Sequence, residues 1–313
     1  MYDTIKLWLP NERIKESGYL QRVPTLLTNA KETSKQDTGE VYFTGSILGM
    51  SAIVSDAGIS LKGSICKSYL NDNFKTLTRQ DTQRAIEQIQ DFTHLPINQA
   101  KTSRIDFAQS FIVSQDPNLF YRFLGECNHY KRLTQPKSLY YQNGMRTKLF
   151  YNKIADGKAK GQTIPPIWAN KHILRYELRY MSRLPYQFNK AQIQAKDLYN
   201  EVFYMDMVER WIKEYESINK NNSILDKMNI QNIKKPNDVL MQFALLYIKQ
   251  NGINEAIEVV EQLKAQNQFK HKEYYSRLKA DIKKLCKSEV LTEGSSLVAE
   301  LDKKVKQVKE YCR

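Results

Sequence analysis

Residues 173–180 read Ile173-Leu174-Arg175-Tyr176-Glu177-Leu178-Arg179-Tyr180, and their alternation decides the fold. In an extended strand Leu174, Tyr176, Leu178 and Tyr180 fall on one face and Arg175, Glu177 and Arg179 on the other. Such a strand covers a core with one face and offers ionic side chains on the second. Working outward, the stretch 103–113 repeats the pattern, with Ile105, Phe107, Phe111 and Val113 opposed to Arg104, Asp106, Ala108 and Ser110. Leu139-Tyr140-Tyr141-Gln142 and Arg146-Thr147-Lys148-Leu149-Phe150-Tyr151 flank Asn143-Gly144, the strongest short hairpin signal. Earlier strands are read at 3–9, 40–48, 50–56 and 58–66, punctuated by Gly39, Gly45, Gly49 and Gly58. A helix at 79–92 opens on Thr78 and Asp81 at capping-box spacing and carries the stripe Ala85, Ile86, Ile89, Phe92. A short helix is read at 117–126, and 155–171, with Pro165-Pro166, reads as a basic loop.

The period changes near residue 190. Apolar residues then recur at three- and four-residue steps in 198–216, 237–250, 254–266 and 272–287, and again at Leu297, Leu301, Val305 and Val308. The chain is therefore read as α+β: an antiparallel sheet domain with helices on one face over 1–190, followed by an all-helical C-terminal domain over 191–313. Asn251-Gly252 separates two of these helices in a way compatible with a helix-turn-helix, but Glu255, Glu258 and Glu261 on the second would repel phosphate, which favours a helical bundle.

Charge narrows the function. The 313 residues carry a net charge of +14, and residues 101–200 hold 17 basic side chains against 6 acidic, while the flanking segments are nearly balanced. A localised excess of this kind is what a surface needs to displace the counterions of a polyanion. Cys66, Cys127, Cys286 and Cys312 form no CxxC, the four histidines form no H-x-H or HExxH, and GKAKGQT at 157–163 lacks the Lys-Ser/Thr ending of a phosphate loop. Reduced thiols are expected, and neither a histidine-held metal nor ATP hydrolysis is. MYDTIKLWLP has no apolar signal core and no run approaches a membrane span, so a cytoplasmic protein with no membrane partner is expected.

What remains is carboxylates, tyrosines and arginines on strands. Asp106 beside Arg104, and Glu177 between Arg175 and Arg179, are hard oxygen donors that suit Mg²⁺ or Mn²⁺ together with a phosphate. Cross-strand Arg–carboxylate pairs would give the same pattern, and spacing does not separate the two readings. Tyr151, one of 19 tyrosines, lies near Lys153 and Arg146 on the far arm of the Asn-Gly hairpin. On those grounds alone it reads as a strand aromatic rather than a nucleophile.

The ordered set MYDTIKLWLP, Ile59-Ser60-Leu61-Lys62-Gly63-Ser64, Tyr69-Leu70-Asn71-Asp72-Asn73-Phe74, Ser103-Arg104-Ile105-Asp106, Arg146 to Lys153 and Leu174 to Arg179 resembles the rolling-circle replication initiators of the filamentous-phage gene II/X type, related to staphylococcal plasmid initiators. The resemblance covers roughly residues 1–190. It implies that the sheet domain is a nickase, that Tyr151 with Lys153 of the Tyr-x-Lys pattern forms the catalytic pair, and that Asp106 and Glu177 hold the divalent ion. Arg104, Arg175, Arg179, Arg146 and Lys148 become the phosphate-contact candidates. The implied partners are single-stranded or melted origin DNA and a host helicase and polymerase, and the implied product is a 5′-phosphotyrosine with a free 3′-hydroxyl. A relaxase for conjugative mobilisation would use the same chemistry. A non-catalytic DNA-binding regulator would need only the basic surface.

Overall fold

The computed structural model describes residues 1–35, 37, 39–220, 233–287 and 296–312. Residues 221–232 and 288–295 of the expected helical region lie outside the described residues. The chain forms two compact units, Met1–Asn219 with Leu301–Arg313, and Lys220–Glu300. The first unit thus runs past residue 190 and takes in the helix Glu201–Glu216, and it recovers residues from the end of the chain.

Its centre is an antiparallel sheet built from β1 (Tyr2–Pro10), β2 (Thr28–Ser34), β3 (Val41–Ile47), β4 (Met50–Ser55), β5 (Gly58–Ser64), β6 (Lys101–Val113), β8 (Lys131–Gln135), β9 (Ser138–Gln142), β10 (Arg146–Asn152) and β11 (His172–Tyr180). A short β7 (Leu124–Cys127) lies outside it. The order is β2-β3-β4-β5-β1-β6-β11-β10-β9-β8, so the four neighbours β1, β6, β11 and β10 come from both ends and the middle of the first 180 residues. Strand β2, TNAKETS, is exposed along its length; with no apolar face to bury it has no alternation to read.

One face of the sheet is dry. Ile105, Phe107, Phe150, Leu174, Tyr176, Leu178 and Tyr180 are buried on it. The helix Glu201–Glu216 covers them because Asn200 caps it through the Phe203 N–H at 3.1 Å and because Phe203, Tyr204, Met207, Val208, Trp211 and Tyr215 recur at helical spacing on its buried side. Phe150 stacks on Tyr176 at 4.5 Å between centroids, and Tyr176 meets Trp211 at 4.6 Å. The helix Arg79–Thr93 opens on the expected Thr78/Asp81 capping box.

On the other face, β10 runs straight into a helix, Lys153–Ala159, capped by Asn152 through the Ala155 N–H at 3.0 Å. The basic loop read at 155–171 is thus half helix. Gly157 hid it, and Ile164 packs closely there: a Cβ would meet Ile164 Cδ1 at 2.7 Å, so that the end of the side chain would have to shift. Phe74, Ile154 and Ile173, packed with Ile164 and Trp168, form a small apolar cluster at this end. The Asn143-Gly144 hairpin forms, but Gly144 takes no left-handed φ; the turn is held by Asn143 Oδ1, which accepts from the Met145 and Arg146 N–H groups at 2.9 and 2.8 Å.

In the second unit, Pro236–Asn251, Ile253–Ala265 and Glu273–Lys287 pack around Ile248, Ala256, Val260, Tyr275 and Ile282, with Gly252 at φ 95° between the first two. No helix among the described residues is long and apolar enough to cross a membrane.

Candidate active site

Antiparallel register places partners on one face, so the second face of the sheet can be read row by row. Tyr151 stands opposite Arg175 and Arg175 opposite Ser110; Leu149 opposite Glu177 and Glu177 opposite Ala108; Thr147 opposite Arg179 and Arg179 opposite Asp106. Tyr151, Arg175, Glu177, Arg179 and Asp106 therefore converge on the face away from Trp211. All of these but Arg175 line a cavity of about 310 Å³ with Asp3, Asn73, Arg104 and Lys153.

Asp3 was not legible from parity, which groups it with Ile5, Leu7 and Leu9. A bulge intervenes: Tyr2 pairs with Phe107 and Ile5 with Ile105, so β1 spends three residues where β6 spends two. Tyr2 and Ile5 both stay on the core face and Asp3 turns to the other. There its Oδ2 accepts from Arg175 Nη2 at 2.7 Å and from Asn73 Nδ2 at 3.4 Å, and its Oδ1 accepts from the Ser64 hydroxyl.

Arg175 is the hub. Its Nε donates to Glu177 Oε1 at 3.1 Å, Nη1 to the Asn73 carbonyl at 3.1 Å and to Ser110 Oγ at 3.0 Å, and Nη2 to Asp3. It is buried with all three nitrogens engaged, so the expected phosphate contact at Arg175 is replaced by a structural role. Arg104 grips Asp106 in bidentate fashion at 2.9 and 2.7 Å. Arg179 donates to Glu177 Oε2 at 3.0 and 2.8 Å and lies 3.7 Å from Asp106, tying the two acids together. The side chains of Arg104 and Arg179 keep 20% and 27% of their surface open, enough to reach an anion at the cavity mouth.

The Tyr151 hydroxyl donates to Glu177 Oε1 at 2.6 Å. Tyr151 is only 9% exposed, and burial, reinforced by Glu177, raises its pKa well above that of an ordinary phenol. Burial also pushes the Glu177 carboxyl up, but Arg175, Arg179 and the Tyr151 hydrogen bond outweigh it against the repulsion of Asp3, and the group is held below the usual range. Asp3 follows the same course: burial opposes its charge, and Arg175 and Ser64 prevail. At Asp106 burial wins and its carboxyl is raised despite Arg104 and Arg179. Lys153, 1% exposed, donates to Asn73 Oδ1 at 2.7 Å and sits 5.2 Å above the Phe74 ring; burial first and Arg175 second lower its pKa to about 8.

Arg146 and Lys148 do not join this cluster. Both share Phe150's parity and point to the core face, where each ion-pairs with Glu214. Lys148, 0% exposed, also donates to Ser217 Oγ and the Glu214 carbonyl, both at 2.7 Å, under the Tyr130 ring. A phosphate cannot reach it there.

Whether Asp106 and Glu177 suit a shared Mg²⁺ or Mn²⁺ turns on lone pairs. A carboxylate offers about four acceptor sites. Glu177 has given all of them away, to Tyr151, Arg175 and twice to Arg179. Asp106 keeps two, beside the charges of Arg104 and Arg179. Among the described residues no group of three or more His, Cys, Asp or Glu side chains is placed to hold a metal. In this arrangement the pair does not fit one divalent ion held jointly, because Glu177 has no acceptor position left to share.

The chemistry assembled is that of a phenol aimed at a carboxylate, inside a cavity rimmed by cations. No curated protein matches the chain. Over residues 1–214 it matches a phage family described as the N-terminal part of a replication-associated protein, and that span takes in β1, β6, β10 and β11, every strand from which the site is built. The chain belongs to this family of phage replication initiators.

Proposed function

We propose that the protein nicks one strand of origin DNA, single-stranded or locally melted, by attack of Tyr151 on a phosphodiester. The observation that carries the reading is the 2.6 Å hydrogen bond from the Tyr151 hydroxyl to Glu177 in a cavity that also holds Arg104, Arg179 and Lys153. A phenol with a raised pKa is a poor nucleophile unless its proton leaves as the new bond forms. Glu177 stands where that proton goes. As the Tyr151 oxygen bonds to phosphorus, the bond from phosphorus to the 3′-oxygen breaks and that oxygen leaves to take up a proton. Arg104 and Arg179 offset the charge that grows on the non-bridging oxygens, and Lys153 adds its charge from the cavity wall.

The product is a 5′-phosphotyrosine and a 3′-hydroxyl that a polymerase extends. The phosphodiester energy is kept in the covalent bond, so nicking and resealing need no ATP. A host helicase and polymerase are the partners that this primer and its displaced strand require.

The test is Tyr151→Phe. The variant should fold and keep most of its DNA affinity, since one hydroxyl is lost, while nicking of a supercoiled plasmid bearing the replicon and the covalent protein–DNA adduct both disappear. An adduct that persists, or that maps to another tyrosine, removes Tyr151 from the role. A wild type that binds and never cleaves would make the protein a regulator.

A further inference from the structure

The row that carries Glu177 continues outward. Ala108, Glu177, Leu149, Tyr140 and Leu133 stand opposite one another on β6, β11, β10, β9 and β8, and so share one face. Glu177 and Leu149 are buried, whereas Tyr140 and Leu133 are half-buried. Over this stretch opens a second cavity of about 220 Å³, lined by Tyr140, Leu149, Tyr151, Lys137, Lys160 and Arg179 among others. It shares Tyr151, Arg179, Asp156 and Lys160 with the ionic cavity, so the Tyr151 phenol stands on the boundary between the two. The two chambers differ in kind. One is floored by acids and guanidinium groups; the other has an aliphatic and aromatic floor with lysines at its rim.

Tyr140 has no evident structural duty. Its neighbour Tyr141 is buried on the core face and donates to the Leu124 and Gly125 carbonyls at 2.9 and 2.7 Å. Tyr140 has neither an aromatic nor a cationic partner for its ring among the described residues. An aromatic face left open beside lysines, one strand away from a phosphate-directed nucleophile, has the chemistry of a stacking platform.

We propose that the second cavity is a subsite for an unpaired nucleobase flanking the scissile phosphate, with the Tyr140 ring stacking on the base and Leu149 as its floor. The proposal rests on the reading of Tyr151 as nucleophile, which fixes where the phosphate lies. A base held there pins its nucleotide while Arg104 and Arg179 hold the phosphate, and the phosphorus is then presented to the Tyr151 oxygen from a fixed side. Stacking is blind to base identity, so the subsite demands that the base be unpaired rather than that it be a particular one. Lys137 and Lys160, both exposed, line the same cavity and suit the next phosphate along the strand.

The experiment measures binding of an oligothymidylate of about 12 nucleotides, carrying one 2-aminopurine, by anisotropy and by fluorescence quenching. All proteins carry Tyr151→Phe, so no covalent product forms. Tyr140→Ala should weaken binding about 5- to 30-fold and abolish the quench, while Tyr140→Phe, which keeps the ring, should stay within about twofold of its parent. Tyr140→Leu keeps apolar volume and packing without a π face, and should behave like alanine. Alanine and leucine variants that bind and quench like the parent would overturn the proposal, as would a phenylalanine variant that loses as much as they do. Failure of the nucleophile reading appears elsewhere, as a covalent adduct that survives Tyr151→Phe in the cleavage assay.

Discussion

Under the helix Glu201–Glu216 the sheet is paved with rings, Phe150, Tyr176 and Tyr180 meeting Trp211, Tyr215 and Phe188, whereas the other side of β10 and β11, with β6 beside them, carries Tyr151, Arg175, Glu177, Arg179 and Asp106. Buried charge does not distinguish them. The core face hides Lys148, with Arg146 and Glu214 at its edge; the other hides Arg175 between Asp3 and Glu177. What differs is access. Lys148 is closed in by Ser217, Cys127 and the Glu214 carbonyl, so its charge is spent on holding the helix end. On the open face the charges line a cavity and retain partly exposed arginines at its rim. An ion pair marks a site when a ligand can reach it, not because it is buried.

The sharpest way to break this contrast is Arg175→Met. It leaves Asp3 and Glu177 buried without their shared cation, a change that costs about 3–5 kcal/mol in comparable cases. Tyr176→Phe on the opposite face removes one hydroxyl that donates to the Trp211 carbonyl at 3.3 Å, and should cost about 1 kcal/mol. Denaturant unfolding of both variants checks the difference. The pH dependence carries a sign. In the wild type Asp3 and Glu177 are held below the usual carboxylate range, so their contribution is present above the unfolded value and lost as pH falls through the folded one. Without Arg175 burial dominates and raises both, so acidification should narrow the gap between variant and wild type. Equal losses for the two variants would mean that Arg175 is not the hub.

Alternation made the strands and the composition of each face readable: Leu174 to Tyr180 and Ile105 to Val113 went where period two sends them. So did Arg146 and Lys148, whose parity with Phe150 already put them on the core face, against the phosphate contact that the resemblance favoured. Asp3 could not be read, because a bulge between Tyr2 and Ile5 inverts its face and a bulge leaves no mark in a one-dimensional pattern. Arg175 was visible as a charge but not as a hub, since its partners Asp3, Asn73 and Ser110 are brought to it only by the strand order β1-β6-β11. The helix Lys153–Ala159 was masked by the glycine that lets Ile164 pack against it.

A second test sharpens the contrast between the two buried lysines. Lys153 has its pKa lowered to about 8, so it is charged below that pH and neutral above. If its charge assists the phosphate, the rate of adduct formation should fall as pH rises through about 8. Lys153→Met should be slower below that pH, flat across the region, and met by the falling wild-type rate above it. Single-turnover rates against pH measure this, and a wild-type profile with no descending limb there would leave Lys153 a packing residue over Phe74.

The smallest expected effect separates the faces most cleanly. Each phosphate contact on single-stranded DNA contributes about 0.7 to the slope of log affinity against log salt. Arg104 stands at the cavity rim with 20% of its side chain exposed, so Arg104→Gln should weaken binding several-fold and lower that slope by about one contact. Lys148→Met removes the same formal charge from a position with 0% exposure on the far side of the sheet. It should reduce stability, because Ser217 and the Glu214 carbonyl lose their donor, and leave the slope where it was. The comparison holds net charge constant, so a difference between the two variants reports position alone. If both lower the slope alike, binding follows the overall field of a chain with charge +14, and the rim arginines touch no phosphate.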